Sequence, residues 1–372
     1  MDISVILPVY NEEKTIGKCI DKIKENFPSS EIIVVDNNST DNSIRIAREK
    51  NVRILFEPKQ GYGAALRRGF EDAKGDYIVM ADADNTYDFK ELPKLLNHKG
   101  FDFIIGNRLN FRQKKGSMPF LHKHIGTPVL TKMLNTIFRS NIKDSQCGFR
   151  MIKKEALSAM NLQSTGMELA SEMIIKAQKL KLKIKEVNIT YHPRQGESKL
   201  NTFRDGWRHF RLIMIYGPSY LFLLPGLILF FLGFVMLYLL SVKNLAIFGI
   251  VFQTHPMLLG SMLTVLGYNI MLLWVFTKIY EREYLNERNE FVDFINKYLN
   301  LEKILITSII IIFVGAAIFG NILFEWIQAD FGEINMIRQG LLALTIVILG
   351  MQTIFAGFFM SILGMKNSNN NK

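Results

Sequence analysis

Cysteine is almost absent from this sequence: Cys19 and Cys147 are the only two in 372 residues. Two thiols make no disulfide framework, which fits a reducing compartment. No G-x-x-x-x-G-K-S/T occurs, and no G-x-G-x-x-G follows the first apolar run. Support for a nucleoside triphosphatase or a dinucleotide-dependent enzyme falls accordingly. The usual nucleic-acid-binding signatures are also missing, so the net charge of +11 does not point to nucleic acid. The opening apolar segment, Ile3–Val9, is too short for a secretory leader and begins a strand pattern instead. Finally, Asp and Glu are missing altogether from residues 103–143, which hold Arg108, Arg112, Lys114, Lys115, Lys123, Lys132, Arg139 and Lys143, with His122 and His124 beside them. Such a one-signed run is either a solvated face or, next to a membrane, a surface for anionic headgroups and lipid phosphate.

What is present divides the chain. From Ser219 onward nine basic residues balance nine acidic ones, so the residues before it carry the whole positive charge. That second part holds four long apolar runs, 220–242, 257–276, 304–324 and 341–363, each about long enough to cross a bilayer. Lys278, Arg282, Arg288, Lys297 and Lys303 fall between the second and third runs, against only Lys243 and Arg338 on the other side. This places the large loop and both termini in the cytoplasm. Glu281–Leu301 reads as an amphipathic helix, and Leu245–Phe252 either extends a span or lies at the interface. Asn269 and Gln352 are expected to bond between helices, and Asn367–Lys372 is a polar tail.

The first part alternates short apolar runs with helical stretches. Strands are expected at 4–7, 31–35, 52–56, 77–80 and 103–105, with helices at 12–27, 41–50, 167–179 and 200–216. That order implies βαβ units and a mainly parallel sheet. Ligands then sit beyond the carboxyl ends of the strands. There the fourth run delivers Asp82-Ala83-Asp84, two carboxylates that either hold a divalent cation against a diphosphate or merely make a turn. Asn11 and the Asp36–Asp41 run serve as ligands or as caps. Gly61-Tyr62-Gly63-Ala64-Ala65 opens a helix carrying Arg67 and Arg68, a phosphate cradle or a plain turn. Glu168 and Glu172, one helical turn apart on one face, read as solvated surface acids, with facing the site as the competing reading. Arg204, Arg208 and Arg211 interleaved with Phe203, Trp207 and Phe210 suit a helix at a membrane interface, with packing on the first domain as the competing reading. The expected domains are 1–199, 200–218 for the interfacial helix, and 219–365 in the membrane.

Pro8-Val9-Tyr10-Asn11-Glu12, Val35-Asp36-Asn37-Asn38-Ser39, Gly61-Tyr62-Gly63-Ala64-Ala65 and Asp82-Ala83-Asp84 occur in that order at strand ends. The set resembles a family 2 glycosyltransferase with the GT-A fold, an α/β domain with a Rossmann-like mixed, mainly parallel sheet. Gly106-Asn107-Arg108, Asp144-Ser145-Gln146-Cys147-Gly148-Phe149-Arg150 and Arg194-Gln195-Gly196-Glu197-Ser198-Lys199 narrow the resemblance to polyprenyl-phosphate glycosyltransferases, of the dolichyl-phosphate glucose or mannose synthase type. The likeness covers the first 215 residues or so and leaves the membrane part matched only in general character.

The resemblance implies that Pro8, Tyr10, Glu12, Asp36 and Asn38 hold the nucleoside, with Gly61, Gly63, Arg67 and Ala83 completing the nucleotide-sugar site. Asp82 and Asp84 would hold Mg²⁺ or Mn²⁺; Thr86 stands where some relatives have a further ligand, Gln. Arg108 would grip the acceptor phosphate, with Lys123, Thr127, Arg194, Ser198 and Lys199 as neighbours. Asp144, which ends the acid-free run, either orients acceptor or metal or only caps the 146–149 turn. The implied reaction is inverting transfer of one sugar from a nucleotide-diphosphate sugar to a polyprenyl or dolichyl phosphate at the cytoplasmic face of the plasma or an equivalent membrane. UDP-glucose or UDP-N-acetylglucosamine is favoured as donor, with GDP-mannose as the alternative. A processive polysaccharide synthase is a second alternative, although its Gln-x-x-Arg-Trp motif is absent. A non-catalytic lipid-binding scaffold is a third. Self-association is left open.

Overall fold

The computed structural model describes residues 3–109, 117–196, 199, 201–242, 244–247, 250–285 and 290–364. Two compact units result, Met1–Gly217 and Pro218–Lys372.

The first unit contains strands β1 (Ile3–Val9), β2 (Glu31–Asp36), β3 (Arg53–Phe56), β4 (Tyr77–Met80), β5 (Phe103–Asn107), β6 (Arg150–Lys153) and β7 (Ile184–Asn188). Its helices are α1 (Ile16–Asn26), α2 (Ser43–Glu49), α3 (Tyr62–Asp72), α4 (Leu92–Leu96), α5 (Thr127–Phe138), α6 (Lys154–Met160), α7 (Leu169–Lys179) and α8 (Thr202–Tyr216). The strands form one sheet in the order β3-β2-β1-β4-β6-β5-β7. All neighbours run parallel except β6, which is antiparallel to both β4 and β5. Val5, Ile6, Leu7, Ile33, Val34, Val35, Ile78 and Val79 are fully buried. Such unbroken apolar strands belong in a sheet covered on both faces. Gly69 lets α3 lie close on that sheet, because a Cβ there would stand 2.5 Å from Ile6 Cγ2.

Register decides where the loops go. Val9 pairs with Asp36 and Ile6 with Met80, so β1, β2 and β4 end along one edge. β6 runs the other way, with Arg150 opposite both Met80 and Ile105. Its reversal delivers the residues before it, Asp144–Phe149, to that same edge.

The five strands expected from sequence are present, and β6 and β7 add to them. Arg150-Met151-Ile152-Lys153 is too short and too basic at its ends to read as a strand. β7 is half-exposed and lacks an apolar run. Glu172 corrects the surface-acid reading: it is fully buried and accepts from the backbone N–H groups of Gln163 (2.9 Å) and Ser164 (2.7 Å).

The second unit holds α9 (Leu224–Val242), a hairpin of β8 (Leu245–Ile247) and β9 (Ile250–Phe252), α10 (His255–Leu285), α11 (Glu290–Tyr298), α12 (Leu301–Gln328) and α13 (Ile337–Gly364). Four helices, 219–242, 255–284, 301–328 and 337–364, are long and apolar enough to span a membrane. The short apolar segment after the first span is thus a hairpin. The helix expected at 281–301 is divided: its first residues finish α10, and α11 follows the undescribed residues 286–289. Lys243, Arg288 and the 367–372 tail lie outside the described residues. Hydroxyls join the spans, Ser261 to Thr345 at 2.7 Å and Tyr268 to Thr353 at 2.6 Å. Gln352, expected in such a role, has its Oε1 buried without a partner. The antiparallel helices α9 and α10 meet backbone to backbone: a Cβ on Gly233 would stand 2.6 Å from Gly260 O, and one on Gly267 would stand 2.7 Å from Gly226 O.

Candidate active site

Asp82 and Asp84 follow β4 onto the shared edge. Asp84 is buried and Asp82 half-buried. Tyr62 donates its hydroxyl to Asp82 Oδ1 at 2.8 Å, and Thr86 donates from its backbone N (3.1 Å) and its hydroxyl (2.5 Å) to Asp84 Oδ1. Asn85, with φ of +61°, lets the turn close between them. Burial raises the Asp82 carboxyl above its usual range, and the nearby Asp84 charge adds to the effect. The backbone at Gly148 presses onto this pair, since a Cβ there would stand 2.9 and 3.1 Å from the two Asp82 oxygens. Two carboxylates that resist sharing negative charge, fixed by Tyr62 and Thr86 beneath the Gly148 backbone, suit a divalent cation. Among the described residues no third His, Cys, Asp or Glu joins them. The Thr86 hydroxyl, at the position of the questioned further ligand, is engaged with Asp84.

Arg108 follows β5 and is buried. Its Nε donates to Asp144 Oδ2 at 2.8 Å, its Nη2 to Oδ1 at 2.9 Å, and its backbone N to Oδ2 at 3.0 Å. Burial opposes the charged form of Asp144, but Arg108 outweighs it and holds the carboxyl below the usual range. Tyr191 lies 5.1 Å from the guanidinium. The turn carrying Asp144 is fixed from below by Arg150, fully buried, whose guanidinium donates to the carbonyls of Cys147 (2.7 Å), Ser145 (2.7 Å) and Ala170 (2.8 Å).

The loops after β1 and β2 are laced together. Asn11 Oδ1 accepts from Thr40 N at 2.7 Å, Ser43 Oγ from Glu12 N at 2.7 Å, and Asp41 Oδ2 from Glu13 N at 3.0 Å. Pro8 pairs with Val35 in the sheet, Tyr10 is exposed at the rim, and Ala83 is buried between the two acids. Asp36 accepts from Ser39 N at 3.0 Å, and Asn38, at φ +68°, donates to Pro58 O at 3.1 Å. These residues therefore shape the turns as well as lining the edge.

Gly61, Gly63 and Arg67 all meet one other loop. Gly61 (φ +153°) faces the Thr165 carbonyl with no room for a Cβ, and a Cβ on Gly63 would stand 2.7 Å from Ser164 O. Ala64 N donates to Thr165 O at 3.0 Å, and Arg67 to Gln163 O at 3.0 Å. The glycines thus permit a close backbone approach to residues 163–166, which Glu172 holds from the other side. Lys123 is exposed on the π-turn His122–Gly126, and Thr127 is buried as the first residue of α5. Arg194 pairs with Glu12 and reaches Asp84 at 3.3 Å, and Lys199 donates to Asn11 O at 3.1 Å. Ser198 lies outside the described residues. On α8, Asp205, His209 and Ile213 face inward while Phe203 (87% exposed) and Trp207 (60%) face out, so one face packs and the other stays apolar and open.

The sequence reading passed over Tyr62 and Arg150 as site residues. Tyr62 stood between two glycines already singled out, whereas nothing local marks Arg150 as the anchor of the turn before it.

The profile described as Glycosyl transferase family 2 matches residues 4–160, and that of the glycosyltransferase family 2 C-terminal transmembrane region matches 275–364. The low-salt glycan biosynthesis hexosyltransferase Agl6 of Haloferax volcanii is 37% identical over 97% of this chain and 89% of its own length. The chain belongs to glycosyltransferase family 2. It is therefore an enzyme that transfers glycosyl groups, an integral membrane protein with a GT-A-type domain followed by the transmembrane region. A dolichyl-phosphate hexose transferase of the same organism is 31% identical over 55% of this chain and 89% of that protein. A dolichol-phosphate mannosyltransferase of Pyrococcus furiosus is 32% identical, over 58% of this chain and 64% of that one. A structure of glucosyl-3-phosphoglycerate synthase from Mycobacterium tuberculosis superposes at a TM-score of 0.48 and 20% identity, over 58% of this chain and 80% of that one.

Proposed function

We propose that this family 2 glycosyltransferase moves one hexose from a nucleotide-diphosphate sugar to a polyprenyl or dolichyl phosphate at the cytoplasmic membrane face. The observation that carries the reading is the single edge on which Asp82, Asp84, the Asn11–Asp41 loops and the Arg108–Asp144 pair converge. The names of the two dolichyl-phosphate relatives agree with such an acceptor.

Asp82 and Asp84 are the residues that would hold Mg²⁺ or Mn²⁺, which when bound neutralises the departing diphosphate. Tyr62 and Thr86 orient the two carboxylates. Tyr10, Glu12, Asp36 and Asn38 line the side where the nucleoside would lie. The acceptor is a phosphate monoester, whose second pKa of about 6 leaves it largely ionised at neutral pH. It needs little help from a base, so alignment and charge do most of the work. Arg108 offers a fixed guanidinium on the acceptor side, oriented by Asp144. Inversion follows from direct displacement. The donor base is assigned to uridine through the likeness of Asp84-Asn85-Thr86-Tyr87-Asp88 to UDP-sugar enzymes, with GDP-mannose as the alternative. The exposed aromatic and basic face of α8 suits contact with anionic lipid.

The test uses the full chain in detergent with extracted polyprenyl phosphate, a panel of UDP- and GDP-sugars, and mass spectrometry of the lipid. A single hexose added per acceptor is expected, with Asp82→Asn and Asp84→Asn each reducing transfer at least about 100-fold, the scale of one lost charge-stabilising group. Full metal-dependent transfer by both variants would refute the assignment of the acids.

A further inference from the structure

Gln146 spends its side chain on a buried column of polar groups. Its Nε2 donates to Ser145 Oγ at 3.0 Å and to Ser171 Oγ, on α7, at 3.3 Å. Ser171 Oγ in turn lies 2.8 Å from Nδ1 of His209 on α8. Ser145, Ser171 and His209 are all buried. Burial disfavours the imidazolium form of His209, so Nδ1 is open to a donor. With Gln146 donating to Ser171, the serine hydrogen is free to go to Nδ1, and the column runs one way from the turn to α8. Three other clamps act on the same turn. Glu186 of β7 accepts from the backbone N of Lys143 (2.8 Å) and of Asp144 (2.9 Å), Thr131 of α5 lies 2.7 Å from Ser145 Oγ, and Arg150 holds the Ser145 carbonyl. The column fixes the residue that touches Asp144 itself. Gln146 N donates to Asp144 Oδ1 at 3.2 Å, the oxygen that Arg108 Nη2 reaches at 2.9 Å. A shift of Gln146 therefore disturbs an oxygen that orients the Arg108 guanidinium.

We propose that Gln146, Ser171 and His209 are positioning residues: their column sets Asp144, and through it Arg108, so that the acceptor-side cation is aimed only while α8 is seated on α7. The inference rests on the reading of Arg108 as the cation for the acceptor phosphate and deepens it. Apolar side chains at 171 and 209 would fill the same space with no polar group left to satisfy. What the polar column adds is direction, because a hydrogen bond fixes an angle as well as a distance. A fixed angle matters at Arg108, where a charge misplaced by about 1 Å loses most of its value in alignment. The column also joins positions far apart in the chain. The turn at 144–146, α7 and α8 have no local reason to share a hydrogen-bonded line. α8 is the last helix before the first span, and its outer face is apolar and open. Its inner face, through His209, carries the seat of that helix to the Asp144 turn.

The experiment is a double-variant cycle in the full chain in detergent, with polyprenyl phosphate as the varied substrate. Gln146→Met, Ser171→Ala and His209→Phe should each lower kcat/KM for polyprenyl phosphate about 5–30-fold, the scale of one buried hydrogen bond left unmade. The affinity for UDP in the presence of Mn²⁺, read by calorimetry, should stay within about twofold of wild type. His209→Asn, which can put an amide group where Nδ1 stood, should recover most of the loss. Gln146→Met combined with His209→Phe should fall no more than about twofold below the worse single variant, since the second break finds the column already open. Losses that multiply in that cycle, or wild-type acceptor kinetics in Ser171→Ala, would overturn the inference. Equal loss of UDP binding and of acceptor kinetics would show a merely structural part and overturn it too. If His209→Phe fails to fold, Ser171→Ala, which removes a single oxygen, decides the matter. Arg108→Lys checks the reading beneath: unchanged acceptor kinetics in that variant would take Arg108 off the acceptor phosphate, whatever the cycle shows.

Discussion

Asp144→Asn is the change that bears hardest on the site. In the native chain this carboxylate receives the Arg108 guanidinium through two parallel bonds of 2.8 and 2.9 Å and the Arg108 backbone N–H through a third, all out of water. An amide of the same shape keeps one acceptor oxygen but turns an NH₂ toward the guanidinium. The arginine is then a buried charge without a counter-ion. Breaking one side of a buried pair costs about 3–5 kcal/mol. For a unit of some 200 residues, each kcal/mol corresponds to about 2–4 °C in Tm. The expected drop is therefore about 6–20 °C. The assay is thermal unfolding of the full chain in detergent, with Trp274→Phe and Trp326→Phe so that Trp207 reports the first unit. Replacing both partners, Arg108→Met with Asp144→Leu, removes the unpaired charge and should recover most of the lost stability without recovering transfer. The pH dependence has a defined sign. Arg108 holds the Asp144 carboxyl below its unfolded value, so the contribution is complete above the unfolded pKa and is lost as pH falls through the folded one. If Asp144→Asn melted within about 2 °C of wild type, or the double variant were no more stable than the single, the account of a closed pair would be wrong.

Gly148→Ala would push a methyl to within 2.9 Å of an Asp82 oxygen; transfer should fall at least about 10-fold while the melting temperature moves far less, since the flexible end of Asp82 yields first. Gly63→Ala meets backbone instead, Ser164 O at 2.7 Å and Gly166 O at 2.8 Å, so a loss of about 1–3 kcal/mol is expected in denaturation of the first unit. Burial, with Arg150 adding to it, pushes the His209 imidazole down to about 4. The unfolded chain takes up the proton first, so stability should fall by up to about 3 kcal/mol as pH drops from about 6.5 to 4, and His209→Gln should flatten that slope in pH-dependent melting curves.

Much of this architecture is legible in the residues because it depends on long apolar runs. Val5–Leu7, Ile33–Val35 and Ile78–Met80 announce buried parallel strands, and the membrane helices announce themselves by length. β6 is illegible for a physical reason: four residues with charged ends form a strand only because β4 and β5 already flank them. The site divides in the same way. Asp82 and Asp84 stand out at a strand end. Gly61 and Gly63, a phosphate cradle or a turn by sequence, are seen to serve a close approach to a loop about 100 residues away. No local pattern encodes that contact. Glu172 looked like one more surface acid, since only the folded chain shows two backbone N–H groups converging on it. The placement of Arg194 beside Asp84 also depends on the residues after β7 pairing back along that turn, Tyr191 with Tyr87 and His192 N with Thr86 O, which its own motif does not specify.

The glycine contacts between α9 and α10 carry a mechanical consequence. Gly226 meets Gly267 and Gly233 meets Gly260, two teeth spaced seven residues apart on each helix. Sliding one helix past the other by a single turn would set Cβ-bearing residues against bare backbone at both teeth. The two spans can therefore tilt together but cannot ratchet. A helix pair locked at two points transmits a push along its length as a strut does, and any movement in this half of the protein would have to pivot elsewhere, where α13 packs on that strut and α12 packs on α13.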